Sequence, residues 1–136
     1  MARSKGREPS QRQLRVGELV RHAITEVLNR GEARTPELQT AVLSVSEVSM
    51  SPDLKHATAF VSALGLEPQR EALLIRALND EASHLRHRVA KHLDHMKSLP
   101  QLRFRADTSF DNYARIDELL SRPEVRRDVE GNSDGT

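Results

Sequence analysis

The segment "VLSVSEVSMSPDLKHATAFVSAL", residues 42–64, decides the fold of this 136-residue chain. Residues 42–50 and 56–64 are rich in β-branched and apolar residues and partly alternate, which predicts two strands. "SPDL" between them has the proline and aspartate typical of a turn. So short a connection predicts an antiparallel hairpin. The alternation changes parity near Ser46–Glu47, which indicates a β-bulge or a strand buried on both faces.

A helix is predicted before this hairpin. Ser10 precedes Gln13 by three positions, the spacing of a capping box. Apolar residues then recur at helical spacing from Val16 to Leu28. Gly31 is placed to end the helix. Gly17 lies inside it, and the sequence leaves open whether this glycine serves close packing or is merely tolerated.

The segment after the hairpin allows two interpretations. An apolar stripe runs through residues 68–96, which could form one long helix. Alternatively, the helix breaks at "NDEAS", residues 79–83, because Asn, Asp and Ser compete with helical hydrogen bonding. Pro100 ends this region. "QLRFRAD", residues 101–107, then predicts a third strand with Arg103 and Arg105 pointing away from the core.

The resulting order is α-β-β-α-α-β, which predicts an α+β domain with helices packed on one face of a three-stranded sheet. A chain of 136 residues with 37% hydrophobic content is enough for one core. We expect residues 10–107 to form this domain and residues 108–122 to form a short C-terminal helix. We expect residues 1–9 and 123–136 to be disordered.

Composition excludes several classes of protein. The absence of cysteine excludes disulfides and cysteine–zinc sites. No apolar run is long enough to span a membrane, and the first residues are polar, so we expect a soluble cytoplasmic protein. Net charge is only +1, yet residues 82–106 contain six Lys or Arg against one Asp. This concentration indicates a polyanionic partner, the alternative being a solvated helix face.

The most basic part of the chain, "ASHLRHRVAKHLDH" at residues 82–95, also contains four of the six histidines. Drawn as one helix, it places apolar residues on one face. A row on the opposite face is then predicted to meet solvent, with His87 and His92 beside it: His84, Arg88, Lys91 and His95.

Metal binding and catalysis are disfavoured for this segment. The pairs His84/His87 and His92/His95 lie two turns apart, with cations between them, so they cannot share one ion. The chain has no G-x-S-x-G pattern, no glycine-rich phosphate loop and no H-E-x-x-H. We therefore expect no catalytic residue, no metal and no cofactor.

The remaining interpretation is phosphate recognition. Side chains of the basic segment supply charge and hydrogen-bond donors, and the third strand extends the patch if it lies beside the helix. The predicted RNA-binding residues are Ser83, His84, Arg88, Lys91, Arg103 and Arg105. With three Phe, one Tyr and no Trp, a base-stacking sheet is not expected, so contact should run through the nucleic-acid backbone. A protein–protein adaptor with a basic face, a general nucleic-acid-binding module and a metal-dependent hydrolase remain as alternatives.

Three segments resemble signatures of the ribosome-binding factor A family. They are "VSMSPDLKHATAFV" (48–61), "EASHLR" (81–86) and "LPQLRFRADTS" (99–109), and the resemblance covers roughly residues 10–121. It implies a type II KH-like domain with a mixed sheet. It also implies a monomeric, cytoplasmic bacterial assembly factor that binds 16S rRNA in the free small (30S) ribosomal subunit. Such factors support late maturation and precursor processing, matter most in the cold, and have neither catalytic activity nor a cofactor.

The same resemblance concerns the helix break. In this family an Ala-x-Gly pattern marks a helix–kink–helix element, and the matching positions are Ala82, Ser83 and His84. Ala82 is retained as the kink residue. His84 replaces the glycine, so the sequence leaves open whether the helix kinks there.

Overall fold

A computed structural model describes residues 8–93, 96 and 98–107 of the chain. Every element below belongs to the unit that spans residues 1–106. The expected C-terminal helix at 108–122 and the expected disordered tail at 123–136 lie outside the described residues. So does nearly all of the expected disordered segment 1–9.

Seven elements follow one another, and the predicted α+β class and mixed three-stranded sheet are confirmed. In chain order they are α1 (Gln11–Asn29), α2 (Pro36–Thr40), β1 (Leu43–Met50), β2 (His56–Ala63), α3 (Pro68–Asp80), α4 (Ala82–Ala90) and β3 (Gln101–Ala106). The sheet order is β1-β2-β3, with β1 antiparallel and β3 parallel to β2. The predicted bulge lies between Val45 and Glu47. The short helix α2 was not predicted.

Local chemistry fixes both ends of α1. Ser10 Oγ accepts from the Gln13 backbone N–H at 3.1 Å, and Gln13 Oε1 accepts from the Ser10 N–H at 2.9 Å, which is the predicted capping box. At the other end Gly31 adopts φ +70°, a left-handed conformation that glycine reaches without strain. The chain then turns into the α1–α2 loop.

The interior glycine of α1 has a packing role. A Cβ atom at Gly17 would lie only 2.6 Å from the carbonyl oxygen of Val48 in β1. One turn away on either side, Gln13 donates to the Met50 carbonyl at 3.0 Å and Arg21 to the Val45 carbonyl at 3.5 Å. One line of α1 thus lies directly against the backbone of the edge strand β1, and glycine permits the close approach.

The core lies on one face of the sheet, between its strands and the long helices. Strand residues alternate cleanly in β3, where Leu102 and Phe104 are buried and Arg103 and Arg105 exposed. The inward apolar stripe of the basic segment is confirmed for Leu85, Val89 and Leu93. The same core contains Val20, Ile24, Val27, Ala57, Ala59, Val61 and Leu78.

The long apolar stripe is divided between two helices. α3 ends at Asp80 and α4 begins at Ala82, with Glu81 between them at φ −110° and ψ 28°. A negative φ of this kind is open to any residue, so the break needs no glycine at position 84. Ala82, Ser83 and His84 are all helical, and the departure from helical geometry falls one residue before Ala82. None of the helices within the described residues is long and apolar enough to cross a membrane.

Candidate nucleic-acid interface

Two members of the predicted row on α4 face the α1–α2 loop. The Arg88 Nε lies 3.0 Å from the Glu32 Oε1, and the His84 Nε2 lies 3.0 Å from the Glu32 carbonyl oxygen. Because a carbonyl oxygen only accepts, Nε2 carries the ring proton in this contact. The expectation that His84 and Arg88 stand free on a solvent face is therefore wrong. The helical wheel contains no information about a distant loop that packs beside the helix.

The other members of the basic segment differ in their surroundings. Ser83, His87 and Lys91 are exposed, and His92 is half-buried. Within the described part of the chain, Lys91 has no ion-pair partner. His95 lies outside the described residues. Lys91, which caps the end of α4, is thus a cation of the basic segment that remains available for an external anion.

Arg103 and Arg105 lie on the other side of the sheet. They alternate along β3 with Leu102 and Phe104, whose side chains point into the core beneath the helices. The arginines therefore project from the opposite face of the sheet. The condition under which they would extend the α4 patch is not met, and the predicted residues form two groups of cations rather than one. Two residues along a strand span about 6.6 Å, so the two guanidinium groups emerge close together.

Glu81 holds the α1–α2 loop at the junction of α3 and α4. Its carboxylate accepts from the Arg34 N–H at 2.9 Å, the Thr35 N–H at 3.0 Å and the Thr35 hydroxyl at 2.8 Å. Burial raises the pKa of Glu81. The hydrogen bonds from Arg34 and Thr35, with the nearby His84, outweigh it and lower that pKa below the ordinary value of 4.5. Glu81 consequently stays ionised and holds the loop.

Arg86, a cation of the same segment, has a structural role. Its Nε donates to the Pro100 carbonyl at 3.0 Å and one of its terminal amino groups donates to the Leu99 carbonyl at 2.8 Å. These bonds hold the chain just before β3. Basic charge in α4 is thus divided between internal contacts and solvent, a division that composition alone did not reveal.

Sequence reasoning missed Glu32 and Glu81, which are the acidic partners of this region. Each is a single charged residue outside any recognised motif, and each acts across about fifty positions of chain. "TP" at residues 35–36 is typical of a helix start and could have revealed α2. It could not have revealed which carboxylate would bind the loop. Among the described residues, no group of three or more His, Cys, Asp or Glu is arranged to hold a metal ion.

Comparison with known proteins decides the family. The family model for ribosome-binding factor A matches residues 12–120. Ribosome-binding factor A of Rhizobium leguminosarum bv. trifolii is 54% identical over 134 residues, which cover 98% of both chains. This chain belongs to the ribosome-binding factor A family. The resemblance seen in the three sequence segments is thereby confirmed.

Solved structures of the ribosome-binding factor A family share the fold. The crystal structure of the Thermus thermophilus protein aligns with a TM-score of 0.55 at 24% identity, covering 69% of this chain and 94% of that one. A homology model of the Thermus thermophilus factor, fitted into the cryo-EM map of a 30S–RbfA complex, aligns with a TM-score of 0.55 at 22% identity. That alignment covers 71% of this chain and 96% of the other. The KH-like fold that the family resemblance implies is confirmed.

Proposed function

We propose that this chain is an assembly factor of the small ribosomal subunit. It binds the free 30S subunit through 16S rRNA and supports late maturation and processing of the rRNA precursor, without catalysis. The observation that carries the proposal is membership of the ribosome-binding factor A family across residues 12–120. A relative of the same fold has been fitted into a map of a 30S complex, which supports the choice of partner.

The described surface favours contact through the phosphate backbone. Phe60 and Phe104 are only 6% and 2% exposed, so neither of these two rings can stack on a base. Cations are available on two faces: Lys91 just after α4, and Arg103 with Arg105 on the outer face of the sheet. Arg88 and His84 can join only by leaving Glu32. Binding by such charges weakens steeply as salt concentration rises.

The test is co-sedimentation with purified free small subunits. The variant Arg103→Glu/Arg105→Glu should lose most of its binding, because two exposed cations become anions. Arg70→Glu/Arg76→Glu, which reverses two exposed arginines of α3, is the matched control and should bind like the natural protein. If both variants bind as tightly as the natural protein, Arg103 and Arg105 are not part of the interface.

Arg88 is a poor choice for this test. A glutamate at position 88 would face the Glu32 carboxylate, and like charges at that distance would disturb the loop. A loss of binding would then not separate contact from folding. Lys91→Glu reverses a charge at the end of α4 without this complication.

One observation favours a second candidate function, a protein–protein adaptor. Two large apolar side chains are exposed at the open end of the hairpin, Val42 (62%) and Leu64 (74%). The Leu64 N–H donates to the Val42 carbonyl at 2.9 Å, so these two residues are neighbours. Exposed apolar groups of this kind occur at protein contacts. RNase treatment separates the candidates, because an adaptor complex survives it and an rRNA complex does not.

A further inference from the structure

The Glu32 carboxylate is placed on Arg88 as an external anion would be. We propose that Glu32 occupies a phosphate-binding subsite on α4, and that a backbone phosphate of the partner RNA displaces it. This inference rests on the proposed function and adds a step to it. In the unbound protein Arg88 is engaged by Glu32, and in the complex it is engaged by RNA.

The donors on α4 fit this ligand. A guanidinium group binds carboxylate and phosphate with the same planar fork of N–H donors, so the two anions are interchangeable partners of Arg88. The His84 Nε2 donates to the backbone carbonyl of Glu32, so two α4 side chains one turn apart contact the same residue, and Arg88 alone contacts its carboxylate. Lys91 lies three residues beyond Arg88, is exposed, and would attract the same stretch of RNA backbone.

The loop does not depend on the Glu32 carboxylate. Glu81 binds Arg34 and Thr35 independently. Ala33 in the loop and Leu38 in α2 are 2% and 1% exposed, so buried side chains anchor the chain just after this contact. Arg88 can therefore exchange partners while the α1–α2 loop stays in place.

The exchange favours binding of a polynucleotide, with its closely spaced phosphates, over binding of an isolated anion. The Arg88 side chain is 35% exposed and that of Glu32 is 16% exposed, so the pair is reachable from solvent. A single anion gains little by replacing one ion pair with another. A polynucleotide held by Lys91 presents phosphates at high local concentration and can replace Glu32. Glu32 thus weakens binding to isolated anions, which is a form of specificity.

The experiment compares Glu32→Gln with Glu37→Gln, an exposed glutamate of α2 that has no place in the contact. Affinity for free small subunits is measured across a salt series. Glu32→Gln should bind roughly two- to fivefold more tightly at low salt, the range of one surface ion pair. Its affinity should also depend more steeply on salt, with a slope of log K against log salt concentration that is more negative by about one unit. Glu37→Gln should match the natural protein.

A double variant tests whether Glu32 affects RNA binding through Arg88. In an Arg88→Gln background, Glu32→Gln should no longer tighten binding, because there is no guanidinium left to release. If Glu32→Gln alone weakens binding in step with Arg88→Gln, Glu32 is a positioning residue and the proposal is overturned. Unchanged affinity also overturns it. If the natural protein fails to bind subunits at all, the proposed function itself is lost, which is a distinct result.

A measurement on the natural protein covers the case in which Glu32→Gln does not fold. The Nε–H resonance of Arg88 is followed by NMR while a short RNA duplex is added. It should shift, while the corresponding resonance of Arg30, which pairs with Glu26 at 2.9 Å, should not. A stationary Arg88 signal at saturating RNA rejects the exchange.

Discussion

The side-chain amide of Asn79 pairs with both backbone groups of Phe104. Asn79 Oδ1 accepts from the Phe104 N–H at 2.8 Å, and Nδ2 donates to the Phe104 carbonyl at 2.9 Å. A neighbouring strand would make the same pair of bonds. Asn79 therefore occupies the free edge of β3 as α1 occupies the free edge of β1.

Asn79→Ala should lower the free energy of unfolding by roughly 1–3 kcal/mol, because two backbone groups lose their partners. Urea unfolding measures this change. Asn29→Ala, at the exposed end of α1, is the control and should stay close to the natural value. If Asn79→Ala unfolds at the same urea concentration as the natural protein, water replaces the Asn79 amide as the partner of the Phe104 backbone.

Gly17→Ala should destabilise the protein although alanine favours a helix by about 1 kcal/mol over glycine. The added Cβ would lie 2.6 Å from the Val48 carbonyl oxygen, so α1 and β1 must move apart. Thermal unfolding measures the outcome, with Leu14→Ala on the exposed side of α1 as the control. A higher melting temperature for Gly17→Ala would contradict the close approach.

Glu81 should make part of the protein's stability dependent on pH. Its pKa is lower in the folded chain than the ordinary 4.5, because the bonds from Arg34 and Thr35 outweigh the effect of burial. Its contribution is therefore complete above the ordinary pKa and is lost as pH falls through the folded-state pKa. Glu81→Gln should cost roughly 1–2 kcal/mol at pH 7 and progressively less in acid. Urea unfolding of both proteins at several pH values checks this, and a difference that stays constant into strong acid would refute it.

Arg86 and Lys91 should behave differently although both are cations of the same segment. Arg86→Gln should lower the free energy of unfolding by roughly 1–2 kcal/mol, because the carbonyls of Leu99 and Pro100 lose a charged donor that is only partly shielded from solvent. Lys91→Gln should leave stability unchanged and weaken binding to small subunits. Paired unfolding and co-sedimentation experiments measure both properties. The opposite distribution of effects would show that the roles are reversed.

Local signals made most of the fold predictable. The capping box of Ser10 and Gln13, the parity change beside Glu47 and the alternation of β3 each depend on residues close together in the sequence, and each was confirmed. α2 was missed because a five-residue helix has too little apolar period to detect. The break between α3 and α4 was one of two interpretations, since the apolar stripe continues through it.

The site was less predictable than the fold because its contacts are long-range. A helical wheel shows that Arg88 lies opposite the core, but it does not show that Glu32 packs against that side. Strand alternation shows that Arg103 points away from Leu102. Alternation does not show which face of the sheet the helices cover, and it is this packing that separates Arg103 from α4. Both facts follow from tertiary packing of distant segments and not from any local pattern.

The central claim is that this chain binds 16S rRNA of the free small subunit through cations on two faces. Crosslinking in cells, followed by sequencing of the attached RNA, tests it most directly. The natural protein should yield 16S rRNA and its precursor, and a chain carrying Lys91→Glu with Arg103→Glu and Arg105→Glu should lose these crosslinks while remaining folded. Crosslinks only to proteins, or an rRNA yield that the three changes leave untouched, would contradict the account.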